Sequence, residues 1–140
     1  MLRLALLLLG VISASILPVV YTLEPLDRLQ VTSPRLADFR GNTISENVIV
    51  NQLVVITADI TNGQEVTQDF VYIVQIKDSQ NIIQYLNFFK AEVTPTKTFS
   101  PGVSWTPNIS GKFMVEIYVW ESFENPEPLS EFLTLNLTAS

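Results

Sequence analysis

Apolar and polar residues alternate along most of this chain, and the alternation predicts its main structural elements. In FMVEIYVW (Phe113–Trp120), every second side chain from Phe113 to Val119 is apolar. LVVITADI (Leu53–Ile60) and FVYIVQIK (Phe70–Lys77) follow the same pattern. Successive side chains of a strand point to opposite faces, so a period of two is typical of a half-buried β-strand. These stretches are therefore predicted to be strands with one face in the core.

Shorter segments of the same character lie between turn signals. LDRLQVTS precedes Pro34, IIQYLNFF follows the turn DSQN, and FLTLNLT is the last such segment. VTPTKTFSPGVSWTP resembles an edge segment, because Pro95 and Pro101 cannot donate hydrogen bonds within a sheet. No helical period is found after residue 23. The predicted fold class is all-β: a single seven-stranded immunoglobulin-like β-sandwich over residues 24–140.

The first 23 residues, MLRLALLLLGVISASILPVVYTL, are predicted to be a hydrophobic helix that precedes the sandwich. Arg3 is followed by an uncharged stretch from Leu4 to Leu23. A basic start, an apolar run and the small residues Ser13–Ser15 fit a cleaved signal peptide. About 20 uncharged residues are also long enough for an uncleaved transmembrane anchor. Both alternatives stay open, and both place residues 24–140 outside the cell.

Composition excludes several classes of function. The formal net charge is −6 with 8 Lys and Arg residues in all, which argues against nucleic acid and against docking to anionic lipid. The chain has no His and no Cys, so Ser-His-Asp and Cys-His catalysis and thiolate or imidazole zinc sites are excluded. We expect no enzymatic activity, no catalytic residue and no cofactor.

Carboxylates are the remaining candidates for chemistry. Glu116 and Glu121 lie at one strand end, but nothing in the sequence indicates a cleft around them. Two acidic loops are predicted to share one end of the sandwich, and oxygen-rich loops there can hold calcium. They lack the spacing of a calcium loop, so we assign no metal ligand and leave calcium binding open. The loop residues are Asp59, Glu65, Asp69, Glu121, Glu124 and Glu127.

SGKFMVEI is similar to the element that opens strand F of immunoglobulin domains. Phe113 stands where those domains have the corner tyrosine, and Val115 stands where they have a cysteine. The tyrosine hydroxyl bond and the disulfide are therefore both lost. The chain looks closer to disulfide-free modules of the fibronectin-III or adhesion type.

Four further stretches strongly resemble small exported immunoglobulin-like modules of ammonia-oxidising archaea (Nitrososphaeria). The resemblance covers about Phe39 to Ser130, and NIIQYLNFFKAEV departs from it by being unusually bulky. It implies the fold and a location at the archaeal cell surface, and it implies no activity. The stretches are FRGNTIS, VNQLVVITADITNGQEVTQDFVYIVQIKD, FSPGVSWTPNISGKF and VWESFENPEPLS.

One outer sheet face is the candidate interaction surface. If the predicted strands FVYIVQIK, FMVEIYVW and FLTLNLT neighbour one another antiparallel, their outward apolar side chains converge. Such a patch is typical of a contact with another protein or a membrane. The alternative is coverage by NIIQYLNFF or by the N-terminal arm of the same chain. The residues are Val71, Ile73, Tyr118, Trp120 and Phe132.

Two glycosylation sequons are present. Asn108-Ile109-Ser110 lies in a turn rich in Pro and Gly, and Asn136-Leu137-Thr138 lies on the polar side of the last strand. We expect Asn108 to be modified and leave Asn136 undecided.

These observations predict a non-catalytic exported module that acts in protein–protein interaction or envelope structure at the archaeal cell surface. Its partners would be other proteins of the cell envelope or of a membrane complex, with membrane contact through residues 4–23 if they are uncleaved. One alternative is an accessory subunit of a membrane protein complex anchored by the N-terminal helix. Another is a subunit of an extracellular filament, since pilin-like subunits also join an apolar helix to a sandwich.

Overall fold

The structure is a computed structural model that describes residues 15–18 and 23–140. Most of the hydrophobic segment predicted over residues 1–23 lies outside these residues. In the described part of the chain, no helix has both the length and the apolarity needed to cross a membrane. The elements are α1 (Pro25–Arg28), β1 (Leu29–Ala37), β2 (Asn47–Val48), β3 (Val54–Asn62), β4 (Gln68–Asp78), β5 (Ile83–Val93), β6 (Thr98–Phe99), β7 (Gly102–Trp105), β8 (Gly111–Trp120) and β9 (Leu133–Ala139).

The strands form two sheets that pack as a β-sandwich. In the first sheet β3 lies between β1 and the short strands β6 and β7. The second sheet has the order β2-β9-β8-β4-β5. Each pairing in both sheets is antiparallel except that of β2 with β9. β8 lies between β4 and β9, which is the arrangement that the candidate interaction surface requires.

The core lies between the sheets and is built from the alternating apolar rows. The predicted inward rows of β3, β4 and β8 are all buried. Trp105 of β7 packs edge-on against Phe113, with 5.1 Å between ring centroids. The hydroxyl of Tyr72 donates a hydrogen bond to the carbonyl of Ile56 at 3.2 Å, which satisfies its polar group inside the core. The three rows are Val54, Ile56, Ala58 and Ile60; Phe70, Tyr72, Val74 and Ile76; and Phe113, Val115, Ile117 and Val119.

The structure differs from the sequence prediction in its number of strands. The described residues contain nine strands rather than seven, and β2 and β6 have two residues each. Two residues are too few to show a period of two, so the alternation could not indicate them. β1 also continues past Pro34 through a bulge between Thr32 and Arg35, with Ser33 at a φ of 54°. A bulge in an edge strand tolerates a proline because no partner needs its N–H there.

Candidate functional site

The outer face of the second sheet brings the five predicted surface residues together. In the antiparallel pairing of β4 and β8, Val71 lies opposite Trp120 and Ile73 lies opposite Tyr118. The ring of Phe132, just before β9, stacks on Tyr118 with 5.4 Å between centroids and 19° between planes. The rings of Tyr118 and Trp120 meet edge to face at 6.1 Å. Tyr118 and Trp120 of β8 and Phe132 just before β9 thus form a continuous aromatic cluster next to Val71 and Ile73 of β4.

Two further aromatic residues extend this cluster. Phe88 of β5 lies opposite Ile73 in the pairing of β4 and β5. Phe123, in the loop after β8, meets Phe88 in an edge-to-face contact at 4.8 Å. We define the aromatic surface as Tyr118, Trp120, Phe132, Phe88 and Phe123. The sequence indicated NIIQYLNFF, which contains Phe88, as the alternative cover of this face, but it did not indicate Phe123.

The residues of this face differ in their exposure. Val71 and Ile73 are buried, with 1% and 6% of their surfaces accessible. Tyr118 and Trp120 are half-buried, whereas Phe132 is 54% exposed. Val71 and Ile73 therefore form a floor, and the rings rise from it. Residues of β5 and of the loop after β8 lie next to this floor, so the same chain covers part of the face. The rest of the face, including Phe132, stays open to solvent.

Two shallow apolar cavities flank the Tyr118 and Trp120 rings. One has a volume of about 370 Å³ and lies towards β5. The other, of about 300 Å³, lies towards β9 and α1. The first is lined by Ile73, Gln75, Leu86, Tyr118, Trp120 and Phe123, and the second by Leu26, Tyr118, Val119, Trp120, Pro128, Ser130, Glu131 and Phe132. The two rings thus form a ridge between two hollows.

A buried carboxylate anchors this ridge. The hydroxyl of Tyr118 donates to Oε2 of Glu116 at 2.5 Å, and Nζ of Lys77 lies 2.7 Å from Oε1. Nε2 of Gln75 donates to the same Oε1 at 3.4 Å. Glu116 is 6% exposed. The sheet therefore holds the Tyr118 ring in one orientation through a charged hydrogen bond, which is among the stronger kinds.

Electrostatics fix the protonation states of this pair. Burial raises the pKa of Glu116, but the hydrogen bonds from Lys77 and Tyr118 outweigh burial and leave that pKa below its usual value. Burial and the adjacent carboxylate raise the pKa of Tyr118 to about 12. Glu116 is thus ionised at neutral pH and Tyr118 is neutral. A carboxylate held in this state is unsuited to act as a general acid.

The acidic loops are only partly brought together. Asp69, Glu121 and Glu124 line an open cavity of about 420 Å³ that also contains Lys90. Asp59 instead lies 3.0 Å from the guanidinium of Arg35. Among the described residues, no group of three or more carboxylates is placed to hold a metal ion. We therefore assign no metal-binding role to these loops.

Both sequon asparagines are exposed. Asn108 lies in the connection between β7 and β8. Asn136 lies on β9 opposite Met114, on the same outer face as the aromatic surface. A glycan on Asn136 would therefore project from this face, whereas Asn108 lies on a loop.

Comparison with known proteins gives one family match. The model of a family described as S-layer A-like (SlaA-like) matches residues 26–136. No curated protein sequence matches the chain. The match covers β1 to β9 almost completely.

Solved structures share the fold at low sequence identity. The C-terminal domain of Wzt is 13% identical with a TM-score of 0.61, over 81% of this chain and 74% of that domain. A CARDB domain from Pyrococcus furiosus, solved in complex with di-metal ions, is 15% identical with a TM-score of 0.56, over 85% and 95%. A cycloisomaltooligosaccharide glucanotransferase from Paenibacillus sp. is 13% identical with a TM-score of 0.62. That match covers 79% of this chain and 14% of the enzyme. At such identities these likenesses show the fold alone.

Proposed function

Because the chain belongs to the S-layer A-like family, we propose that it is a non-catalytic, exported, immunoglobulin-like module of an archaeal cell surface. It acts in protein–protein interaction or envelope structure. The observation that carries the proposal is the aromatic surface on the outer face of the second sheet. Monomeric proteins rarely leave a contiguous aromatic face open, and such a face is typical of a contact site.

Tyr118 and Trp120 are the residues that anchor a partner. Both rings are held by their neighbours before a partner arrives, so little side-chain entropy is lost on contact. Large aromatic side chains at the centre of an interface commonly carry most of its binding energy. The hollows on either side of the ridge accept protruding side chains of the partner. The partner is a protein of the cell envelope with an apolar contact surface.

Substitutions on the outer face test this function. Trp120→Ala and Phe132→Ala are expected to release the protein from the cell-envelope fraction. Phe132→Ala should leave the melting temperature nearly unchanged, because its ring is more than half exposed. Met114→Ala is the matched control, since Met114 is exposed on the same face of β8 but belongs to neither cavity beside the ridge.

The outcomes separate a contact role from a structural one. Release of both aromatic variants with retention of Met114→Ala supports the proposal. Full retention of folded Phe132→Ala and Trp120→Ala in the envelope fraction contradicts it. A large fall in the melting temperature of Trp120→Ala, without release of Phe132→Ala, means that the cluster serves only the stability of the sandwich.

The second candidate is an accessory subunit of a membrane complex, and the position of Leu26 favours it. Leu26 of α1 lines the same hollow as Trp120 and Phe132, and Leu23 beside it is also exposed. Leu26, three residues after the predicted apolar segment ends, thus lies beside the aromatic surface. Tyr and Trp are enriched at membrane–water interfaces, so an uncleaved anchor would suit this arrangement. The intact mass of protein isolated from envelopes tests it: a mature chain that begins near Ile16 contradicts the anchored form.

A further inference from the structure

The second sheet ends in a long strand whose far edge is open. β5 has 11 residues and pairs with β4, and no strand in the described part of the chain pairs with its other side. The remaining outer strands are protected: β1 contains a proline and a bulge, β2 has two residues, and a proline separates β6 from β7. Proteins commonly block sheet edges by such devices, because open edges pair with other chains. β5 contains no proline.

One hydrogen bond shows which backbone groups of β5 face the open edge. The N–H of Phe88 donates to Oδ1 of Asn87 at 2.9 Å. This N–H is therefore bonded to the side chain of the preceding residue and not to the backbone of β4. In an antiparallel sheet the N–H and C=O of one residue point the same way, and alternate residues share that direction. Leu86, Phe88 and Lys90 therefore present their backbone groups to the open edge.

We propose that β5 pairs antiparallel with β5 of a second copy, centred on Phe88. Phe88 is the midpoint of Ile83–Val93, so this register overlaps the whole strand. The backbone groups of Phe88 also face the open edge. Two copies paired in this register therefore overlap along the whole strand and can form backbone hydrogen bonds to each other. Few registers of a strand with itself satisfy both conditions.

Side chains in this register are mutually compatible. Leu86 lies opposite Lys90 of the second copy, whose aliphatic stem can cover it. Gln84 lies opposite Glu92 as an amide–carboxylate pair, and the two Phe88 rings meet at the centre. A register centred on Lys90 instead places two lysines opposite each other, which destabilises a strand pair. Charge thus favours the Phe88-centred register.

The resulting contact is symmetric and closed. The same patch is used on both copies, so the pair forms a dimer rather than an open chain. The bond from Phe88 N–H to Asn87 is exchanged for one to the carbonyl of Phe88 in the second copy. The two second sheets then form one continuous sheet. Leu86 and Phe88, which are 59% and 49% exposed, gain cover at the junction.

Engineered cysteines test the register, because the chain has no cysteine of its own. Residues opposite each other in a hydrogen-bonded antiparallel pair have Cα atoms about 5.5 Å apart, within the range of a disulfide. Phe88→Cys in the full chain is therefore expected to form a disulfide dimer under mild oxidation. In Leu86→Cys the two cysteines are offset by four residues, about 13 Å along the strand, and no dimer is expected. Non-reducing electrophoresis reads the result, and the melting temperature confirms that both variants are folded.

A charge test at one position supplies a second readout. Leu86→Lys places a lysine opposite Lys90 twice per dimer, and we expect about fivefold weaker self-association in sedimentation velocity. Leu86→Glu introduces a charge at the same exposed site but faces Lys90 with opposite sign, so its association is expected to stay at or above the wild-type level. Any association through residues 1–23 would affect both variants equally, so the difference between the two variants reports the β5 contact.

Three results overturn the proposal. They are a wild-type chain that stays monomeric at every concentration, equal cross-linking of the two folded cysteine variants, and equal effects of the two Leu86 charges. Trp120→Ala is expected to leave the dimer intact, because Trp120 lies on the face and not at the edge. Failure of the edge contact is thus distinguishable from failure of the proposed envelope contact.

Discussion

The carboxylate of Glu116 accepts hydrogen bonds from side chains of two strands on the outer face of the second sheet. Its pKa is lower in the folded protein than its usual value of 4.5. A depressed folded pKa stabilises the fold above the unfolded pKa, and this contribution is lost as the pH falls through the folded pKa. The wild-type protein therefore loses part of its stability on acidification below about pH 4.5.

Glu116→Gln is expected to remove that part of the pH dependence. At pH 7 the variant should lose about 2 kcal/mol of unfolding free energy, because Lys77 and Tyr118 lose a charged acceptor. Its deficit relative to the wild type should shrink as the pH falls towards 3. Urea unfolding at several pH values measures both effects. Glu124→Gln, on an exposed loop, is the control, and a deficit for Glu116→Gln that is constant with pH contradicts the assignment.

Gly102 is a second residue whose identity the packing requires. A Cβ at this position would lie 2.7 Å from Cγ1 of Val55 on the paired strand β3. Val55 is β-branched and has little rotamer freedom to move aside. Gly102→Ala is therefore expected to cost about 1–3 kcal/mol of unfolding free energy by overpacking. In a double-mutant cycle, Val55→Ala should recover most of this loss, and strict additivity of the two changes would contradict the steric explanation.

At the level of elements, the hairpin of β4 and β5 depends on the turn DSQN. Oδ1 of Asp78 accepts the backbone N–H groups of Gln80 and Ile82 at 2.9 and 3.0 Å. Asn81 has a φ of 63°, in the left-handed region that asparagine and glycine tolerate best. The sequence therefore predicted this turn, because local chemistry determines it.

Substitution of Asn81 tests the turn. Asn81→Val is expected to cost about 1–2 kcal/mol of unfolding free energy, since a β-branched side chain is strained at positive φ. Asn81→Gly should be tolerated at nearly wild-type stability. Thermal unfolding of the two variants measures the difference. Equal stability of the Val and Gly variants would contradict the left-handed geometry of the turn.

The elements that the sequence predicted best are those whose signal is local. The period of two determined β3, β4 and β8 and their inward rows. It also placed Val71 and Ile73 on the outer side, but it left open whether this face is an open surface or is covered by NIIQYLNFF or the N-terminal arm. Phe88, which lies within NIIQYLNFF, is opposite Ile73 on the neighbouring strand β5, and such a contact depends on tertiary structure. A period of two shows which side a residue faces and not what lies over it.

At the scale of the whole molecule, the two proposed contact regions lie on one sheet. The aromatic surface lies on the face of the second sheet, and the open edge of β5 lies at its end. Pairing through β5 would join the aromatic surfaces of two copies on one continuous sheet and so double the contacts available to an envelope partner. The sequence indicated the face from the outward positions of Tyr118 and Trp120. It could not indicate the edge, because the neighbours of β5 follow from the strand order of the fold.

The net charge of the molecule predicts how salt affects the pairing of two copies. Each chain carries a formal charge of −6, so two copies repel each other at low ionic strength. The screening length falls from about 30 Å at 0.01 M salt to about 10 Å at 0.1 M, which weakens this repulsion. Backbone hydrogen bonds and apolar contacts at the junction are little affected by the same salt. Dimerisation through β5 should therefore strengthen over this range in sedimentation equilibrium. If association instead weakened with salt, attraction between opposite charges would hold the copies together. The Phe88-centred junction places no Lys opposite a carboxylate, so it would then be the wrong contact.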